Sequence, residues 1–178
     1  MIQFKIILVE GFLMLLTMVG LYTLFVLITL YVSVMQIGYI NKAKRQKAVL
    51  LSDAKFLVAG NYAVAKEKLS ICSTVVDYFV FIAWVGFGIE YLQTNIVFQD
   101  EAFTNIAIVI SFVILNSVVS LPFSYYEKFV LDAEFGFNNS SIGQWIKDTL
   151  ISFITTLLLG SLVVWGIYLI ISSFVLWW

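Results

Sequence analysis

Three side chains with chemical capacity stand inside long apolar runs: Asp77, Glu90 and Asn116. Carboxylates in such surroundings are costly and usually face a bundle interior or a water-filled cavity. The three are therefore candidates to line a polar chamber, with helix-to-helix hydrogen bonding and protonated carboxyls as the plainer alternative. Asp77 and Glu90 lie thirteen residues apart, which turns an ideal helix by about 220°. They do not share a face, so a paired-carboxylate site within one helix is not expected. Ser70, Ser73 and Thr74 have no base near them in sequence, a poor arrangement for a nucleophile. Cys72 is the single cysteine, so no intramolecular disulfide can form. One thiol beside scattered acids is not a usual zinc ligand set either. Histidine is absent altogether. Catalytic, cofactor-binding and metal-ligating residues are therefore all expected to be missing from this chain.

The elements that position these residues follow from composition. Hydrophobic residues make up 62% of the 178 and charged residues 12%, against roughly 45–50% and about 25% in soluble domains. The net charge of −1 argues against a nucleic-acid partner. Apolar runs of about 20 residues or more are the mark of membrane helices. The expected fold is all-α, a polytopic transmembrane helical bundle forming one membrane domain, with the lipid bilayer as its first partner. Its four spans cover about residues 8–40, 69–98, 102–126 and 149–178, with loops at 41–68 and 127–148. The first loop carries Lys42, Lys44, Arg45, Lys47, Lys55, Lys66 and Lys68 against Asp53 and Glu67. That excess places it on the cytoplasmic side and both termini opposite. It can also attract anionic lipid headgroups. Ser52-Asp53 can start a helix there and Gly60-Asn61 can stop one. Gly86 and Gly88 would let another helix approach and would weaken the helix near Glu90. Leu121-Pro122 is expected to kink or end the third span. Trp177-Trp178 would sit at the far interface.

Between the third and fourth spans runs Leu121 to Gln144, LPFSYYEKFVLDAEFGFNNSSIGQ. It holds the only proline. Gly136 lies between two phenylalanines, where a missing Cβ permits positive φ. Ser141 and Gln144 have capping-box spacing. The segment thus reads as a helix exit, an aromatic turn at the interface and a helix start. Its Pro122-Phe123-Ser124, Tyr126, Phe129-Val130, Asp132 and Phe135-Gly136-Phe137-Asn138, with Asn61-Tyr62 and Lys66 upstream, resemble the signature of the amino-terminal membrane domain of type I CAAX prenyl endopeptidases. Asp132 stands where that pattern usually has a glutamate, and Ile142 where it often has a proline.

The resemblance implies an integral-membrane zinc metallopeptidase whose helices enclose a water-filled chamber. Such enzymes bind zinc through an H-E-x-x-H helix, which a chain without histidine cannot supply. Zinc is then expected in a full-length relative and not here. The 178 residues alone would not hydrolyse peptides. The implied partners are a missing carboxy-terminal catalytic half and prenylated or other membrane-associated peptides. The chain is then either the leading portion of a longer peptidase or a free-standing relative without the catalytic half. Phe129, Phe135 and Phe137 would either anchor the connector at the interface or shape an entrance for a lipidated substrate. Two readings from other classes stand beside this one. A small channel or transporter subunit would use Asp77, Glu90 and Asn116 as its polar path, and a non-catalytic protein would bind another membrane protein.

Overall fold

Backbone polar groups away from water are satisfied most simply within a helix, and the long apolar runs of this chain are helical. A computed structural model describes residues 2–46 and 52–173. Lys47 of the basic loop and the Trp177-Trp178 pair lie outside the described residues. The helices are α1 (Ile2–Ala43), α2 (Asp53–Ala83), α3 (Ile89–Asn95), α4 (Glu101–Tyr126), α5 (Asp132–Glu134) and α6 (Ile142–Ser173). A π-helical turn, Trp84–Gly88, joins α2 to α3, and a second, Glu127–Leu131, joins α4 to α5. The result is four long rods, each apolar enough and long enough to cross a membrane. The all-α, four-span architecture read from the sequence is the one that forms.

The rods pack in chain order. α1 lies on α2, α2 on α4, and α4 on α6, while α1 and α6 make no contact among the described residues. This is an open row, and its faces remain apolar. Among the described residues, buried hydrophobic side chains are few (Val26, Val64, Leu92 and Leu131), whereas Phe25, Phe79, Phe103, Leu158 and Leu162 are exposed. Such surfaces suit lipid or further helices, not water. Where α1 meets α2, Tyr22 packs on Phe81 with ring centroids 4.2 Å apart. Thr23 Oγ1 lies 3.0 Å from Tyr78 Oη in the same contact.

Several local expectations change. Gly60-Asn61 does not stop a helix; α2 runs through it. Instead the Lys44 side chain crosses the bare Gly60 backbone and its Nζ donates to Asn61 Oδ1 at 2.9 Å. Pro122 does not end the third rod. It removes the donor that would have met the Val118 carbonyl, yet α4 continues to Tyr126, and the π turn and α5 carry helix to Glu134. The connector expected from residue 127 onward is thus helical in its first part.

Gly86 and Gly88 do not admit a neighbouring helix. Among the described residues nothing packs against Gly86, and Gly88 is covered by the indole of Trp84 from its own helix. That indole packs on Phe112 of α4, centroids 4.9 Å apart. A Cβ at residue 88 would fall on the ring. Gly88→Ala is therefore expected to lower thermal stability even though alanine favours helix by about 1 kcal/mol over glycine. In a Trp84→Ala background the same change should stabilise. Unfolding midpoints of the four proteins of this cycle, measured in detergent, check the coupling. An equal effect of Gly88→Ala in both backgrounds would remove the packing explanation.

Candidate functional site

Tyr62 and Lys66 stand one turn apart on α2 and so share a face. Opposite them the chain leaves α4 through the π turn. Tyr62 Oη donates to Asp132 Oδ1 at 2.7 Å. Lys66 Nζ lies 2.6 Å from Glu127 Oε1, with the two side chains 43% and 40% exposed. At that exposure the ion pair contributes little by itself, about 0–1 kcal/mol. Lys66 Nζ also sits 5.5 Å from the centre of the Tyr62 ring, within cation–π range. Phe135 and Phe137 pack against the same ring, centroids 5.4 and 4.7 Å away.

The connector's own backbone explains how two phenylalanines reach one tyrosine. Gly136 has φ +77°, the left-handed conformation that favours glycine. Its N–H reaches the Ala133 carbonyl at 3.2 Å, and the Phe137 N–H reaches the Asp132 carbonyl at 2.7 Å. These are the paired bonds of a Schellman helix end. Asp132 therefore closes the helix with its carbonyl and holds Tyr62 with its carboxylate. Next, the Asn138 side chain accepts from the Ser140 N–H at 2.8 Å. Ser141 Oγ then accepts from the Gln144 N–H at 3.2 Å, capping α6 as its spacing predicts. On the far side Tyr125, Phe129 and Trp145 cluster, with centroid separations of 5.0, 5.8 and 5.9 Å. Trp145 Nε1 donates to Ser124 Oγ at 3.3 Å, tying α6 to α4.

Electrostatics follow from the same contacts. Tyr62 and Lys66 lie in the charged first part of α2, ahead of the apolar run that begins at Leu69. The bond to the Asp132 carboxylate, then burial, raises the Tyr62 phenol above its ordinary value. The bond to Glu127 raises the Lys66 ammonium. Both effects hold the groups in the protonated, donating forms that the junction uses.

This arrangement joins α2 to the α4–α5 rod, and neither Tyr62 nor Lys66 is left as a free base in it. The hydroxyl of Tyr62 and the ammonium of Lys66 are each committed to a carboxylate. Zinc does not fit here either. Asp132 and Glu127 already have partners, Cys72 is exposed, and no three ligating side chains converge among the described residues.

Asp77, Glu90 and Asn116 make no hydrogen bond to one another among the described residues. Asp77 accepts from Ser73 and Asn116 donates to the Phe112 carbonyl, each within its own helix. Glu90 is exposed on α3. Of the sequence motif, Asp132, Phe135, Gly136 and Phe137 meet Tyr62 or shape the turn that does. Pro122 and Tyr126 line a groove beside it, Phe129 joins the Trp145 cluster, and Asn138 shapes the loop.

Glu127 as the partner of Lys66 escaped the sequence reading. Glu127 and Asp132 are five residues apart, about 140° around an ideal α-helix. The π turn closes over that spacing, with the Asp132 N–H on the Glu127 carbonyl, and brings both carboxylates toward α2. A π turn leaves no clear mark in the sequence.

Comparison with known proteins agrees with this geometry. The family described as CAAX prenyl protease N-terminal, five membrane helices, matches residues 36–178. The CAAX prenyl protease 1 homolog of Oryza sativa subsp. japonica is 27% identical over 135 residues, covering 75% of this chain and 31% of that protein. CAAX prenyl protease 1 of Saccharomyces cerevisiae is 31% identical over 111 residues, covering 55% and 24%. The chain thus spans less than a third of the length of these relatives. The crystal structure of S. mikatae Ste24p superposes with a TM-score of 0.66 at 23% identity, over 84% of this chain and 40% of that one, a likeness of fold. A chain of four apolar rods, joined at one end by the residues that carry the resemblance, belongs to the CAAX prenyl protease N-terminal family of integral-membrane domains.

Proposed function

We propose that these 178 residues are the membrane-embedded scaffold of a CAAX-protease-type zinc metallopeptidase, and that the zinc-binding residues belong to another segment. The observation that carries the reading is the junction. Tyr62 and Asp132, seventy residues apart, are joined directly, and the residues around them are those on which the family resemblance rests. A scaffold needs such a fixed corner, because catalytic groups delivered by another segment must meet the helices in a single geometry. The open row supports the same reading, since its apolar faces leave room for further helices. The sequence has no histidine to form a zinc helix of the H-E-x-x-H kind. The substrate class is that in the relatives' names, prenylated peptides, with the basic loop on the cytoplasmic side. Asp77, Glu90 and Asn116 are proposed to face the chamber that the added segment completes.

The purified chain in detergent is expected to hold no stoichiometric zinc and to release no product from a farnesylated CAAX peptide. Co-expression with the histidine-bearing remainder of the Saccharomyces cerevisiae relative should give a co-purifying pair that cleaves the peptide and is stopped by a zinc chelator. Peptidase activity in the purified chain alone, or failure of the two pieces to associate, counts against the scaffold reading.

A further inference from the structure

Next to the junction a groove of about 510 Å³ opens between α2 and the α4–α5 rod. Lys68, Leu69 and Cys72 line one wall, and Pro122, Phe123 and Glu134 line the other. Lys68 and Glu134 are exposed and are not paired with each other; the ion pair among the described residues is Lys66–Glu127. The walls grade the same way. Lys68 immediately precedes Leu69, where the apolar run of α2 begins, and Cys72 lies one turn farther along the same face. Opposite, Glu134 ends α5, and Phe123 and Pro122 lie back toward the apolar body of α4. Both walls therefore pass from one charge to an apolar surface, and the two charges are opposite in sign.

We infer that this groove is a binding site for one phospholipid whose zwitterionic headgroup carries a primary ammonium, of the phosphatidylethanolamine type. Its phosphate accepts from Lys68 Nζ, its ammonium donates to Glu134, and the start of an acyl chain lies along Leu69, Cys72 and Phe123. Charge complementarity selects this occupant. An anionic lipid would satisfy Lys68 and leave Glu134 facing an anion, whereas a choline headgroup has no N–H to give the carboxylate. A groove of this volume is within the range of specific small-molecule sites. The inference stands independently of the peptidase reading, since it concerns lipid on this chain alone.

Cys72, the only cysteine, reports on the groove directly. Its alkylation rate by a maleimide is followed in dodecylmaltoside micelles containing dioleoyl phosphatidylethanolamine, phosphatidylcholine or phosphatidylglycerol. The ethanolamine lipid is expected to slow labelling saturably, at a half-saturating mole fraction roughly tenfold below that of the choline lipid, the worth of one charge-assisted hydrogen bond. Native mass spectrometry should show one ethanolamine lipid retained per chain. Glu134→Gln should erase the preference, whereas Lys68→Gln should weaken protection by the ethanolamine and choline lipids alike. Equal protection by ethanolamine and choline lipids, or none by any lipid, overturns the proposal, the latter also being the outcome if another protein occupies the groove. Stronger protection by phosphatidylglycerol overturns it too, and assigns the effect to the basic loop. The lipid comparison on the unaltered chain decides the matter even if a variant fails to fold.

Discussion

Gly136→Val is expected to lower the thermal midpoint of the detergent-solubilised chain by roughly 2–12 °C. A non-glycine residue in the left-handed region costs on the order of 1–3 kcal/mol, and β-branching adds to that cost. Gly136 has φ +77°, so valine must either bear the strain or abandon the turn. Abandoning it gives up the bonds from Gly136 N–H to Ala133 and from Phe137 N–H to Asp132, and withdraws Phe135 and Phe137 from Tyr62. Each kcal/mol corresponds to about 2–4 °C for a chain of this size, which sets the range. Gly136→Asn should cost much less, because asparagine tolerates the left-handed conformation. Thermal unfolding followed by size exclusion compares the three proteins. A valine protein that melts with the wild type would show that the turn does not hold the connector in place.

Tyr62→Ala should have an effect of similar size, and Tyr62→Phe a smaller one, and the gap between them divides the junction's energy. The phenylalanine variant keeps the ring between Phe135 and Phe137 and loses only the bond to Asp132, worth about 1.5–3 kcal/mol for a charged acceptor. The alanine variant loses the ring as well. Aromatic-to-alanine changes cost about 3–5 kcal/mol in a full core, and less here because Tyr62 is half-buried. The expected order of midpoints is wild type, then Tyr62→Phe, then Tyr62→Ala. Equal midpoints for the two variants would place the whole effect in the hydrogen bond. In the assembled peptidase of the scaffold reading, Tyr62→Ala should reduce turnover of the farnesylated peptide while leaving the zinc content of the histidine-bearing partner unchanged. Loss of zinc along with turnover would mean that the junction does more than position helices.

Residues at helix ends were the most legible part of the junction. Ser141 caps α6 and Gly136 takes positive φ because these roles depend on local chemistry within four or five residues. The basic loop's Lys66 and the connector's Asp132 were visible as charges and as motif members, but their partners were not. Tyr62 meets Asp132 across seventy residues, and the π turn that lets Asp132 and Glu127 both face α2 spaces them five residues apart, off the ordinary helical period. Neither contact has a periodicity to betray it. Gly60 and Gly88 mark the same limit. Their small size was plain, but what fills the space, Lys44 from just past the end of α1 in one case and Trp84 from the same π turn in the other, depends on which rods pack together.

By itself the sequence determined that this is an all-α membrane domain with four apolar spans, that it has no histidine, and that the connector turns at Gly136 and restarts a helix at Ser141. Those properties follow from composition and from hydrogen bonding along the chain, which short stretches settle alone. Only the tertiary structure decided that the rods stand in an open row and that Tyr62, Lys66, Glu127 and Asp132 form one corner. It also placed Lys68 and Glu134 across a shared groove. Apolar runs specify burial in lipid without specifying a neighbour. Which helices meet is decided by the few places where a ring, a bare glycine or a charge finds its complement on another rod.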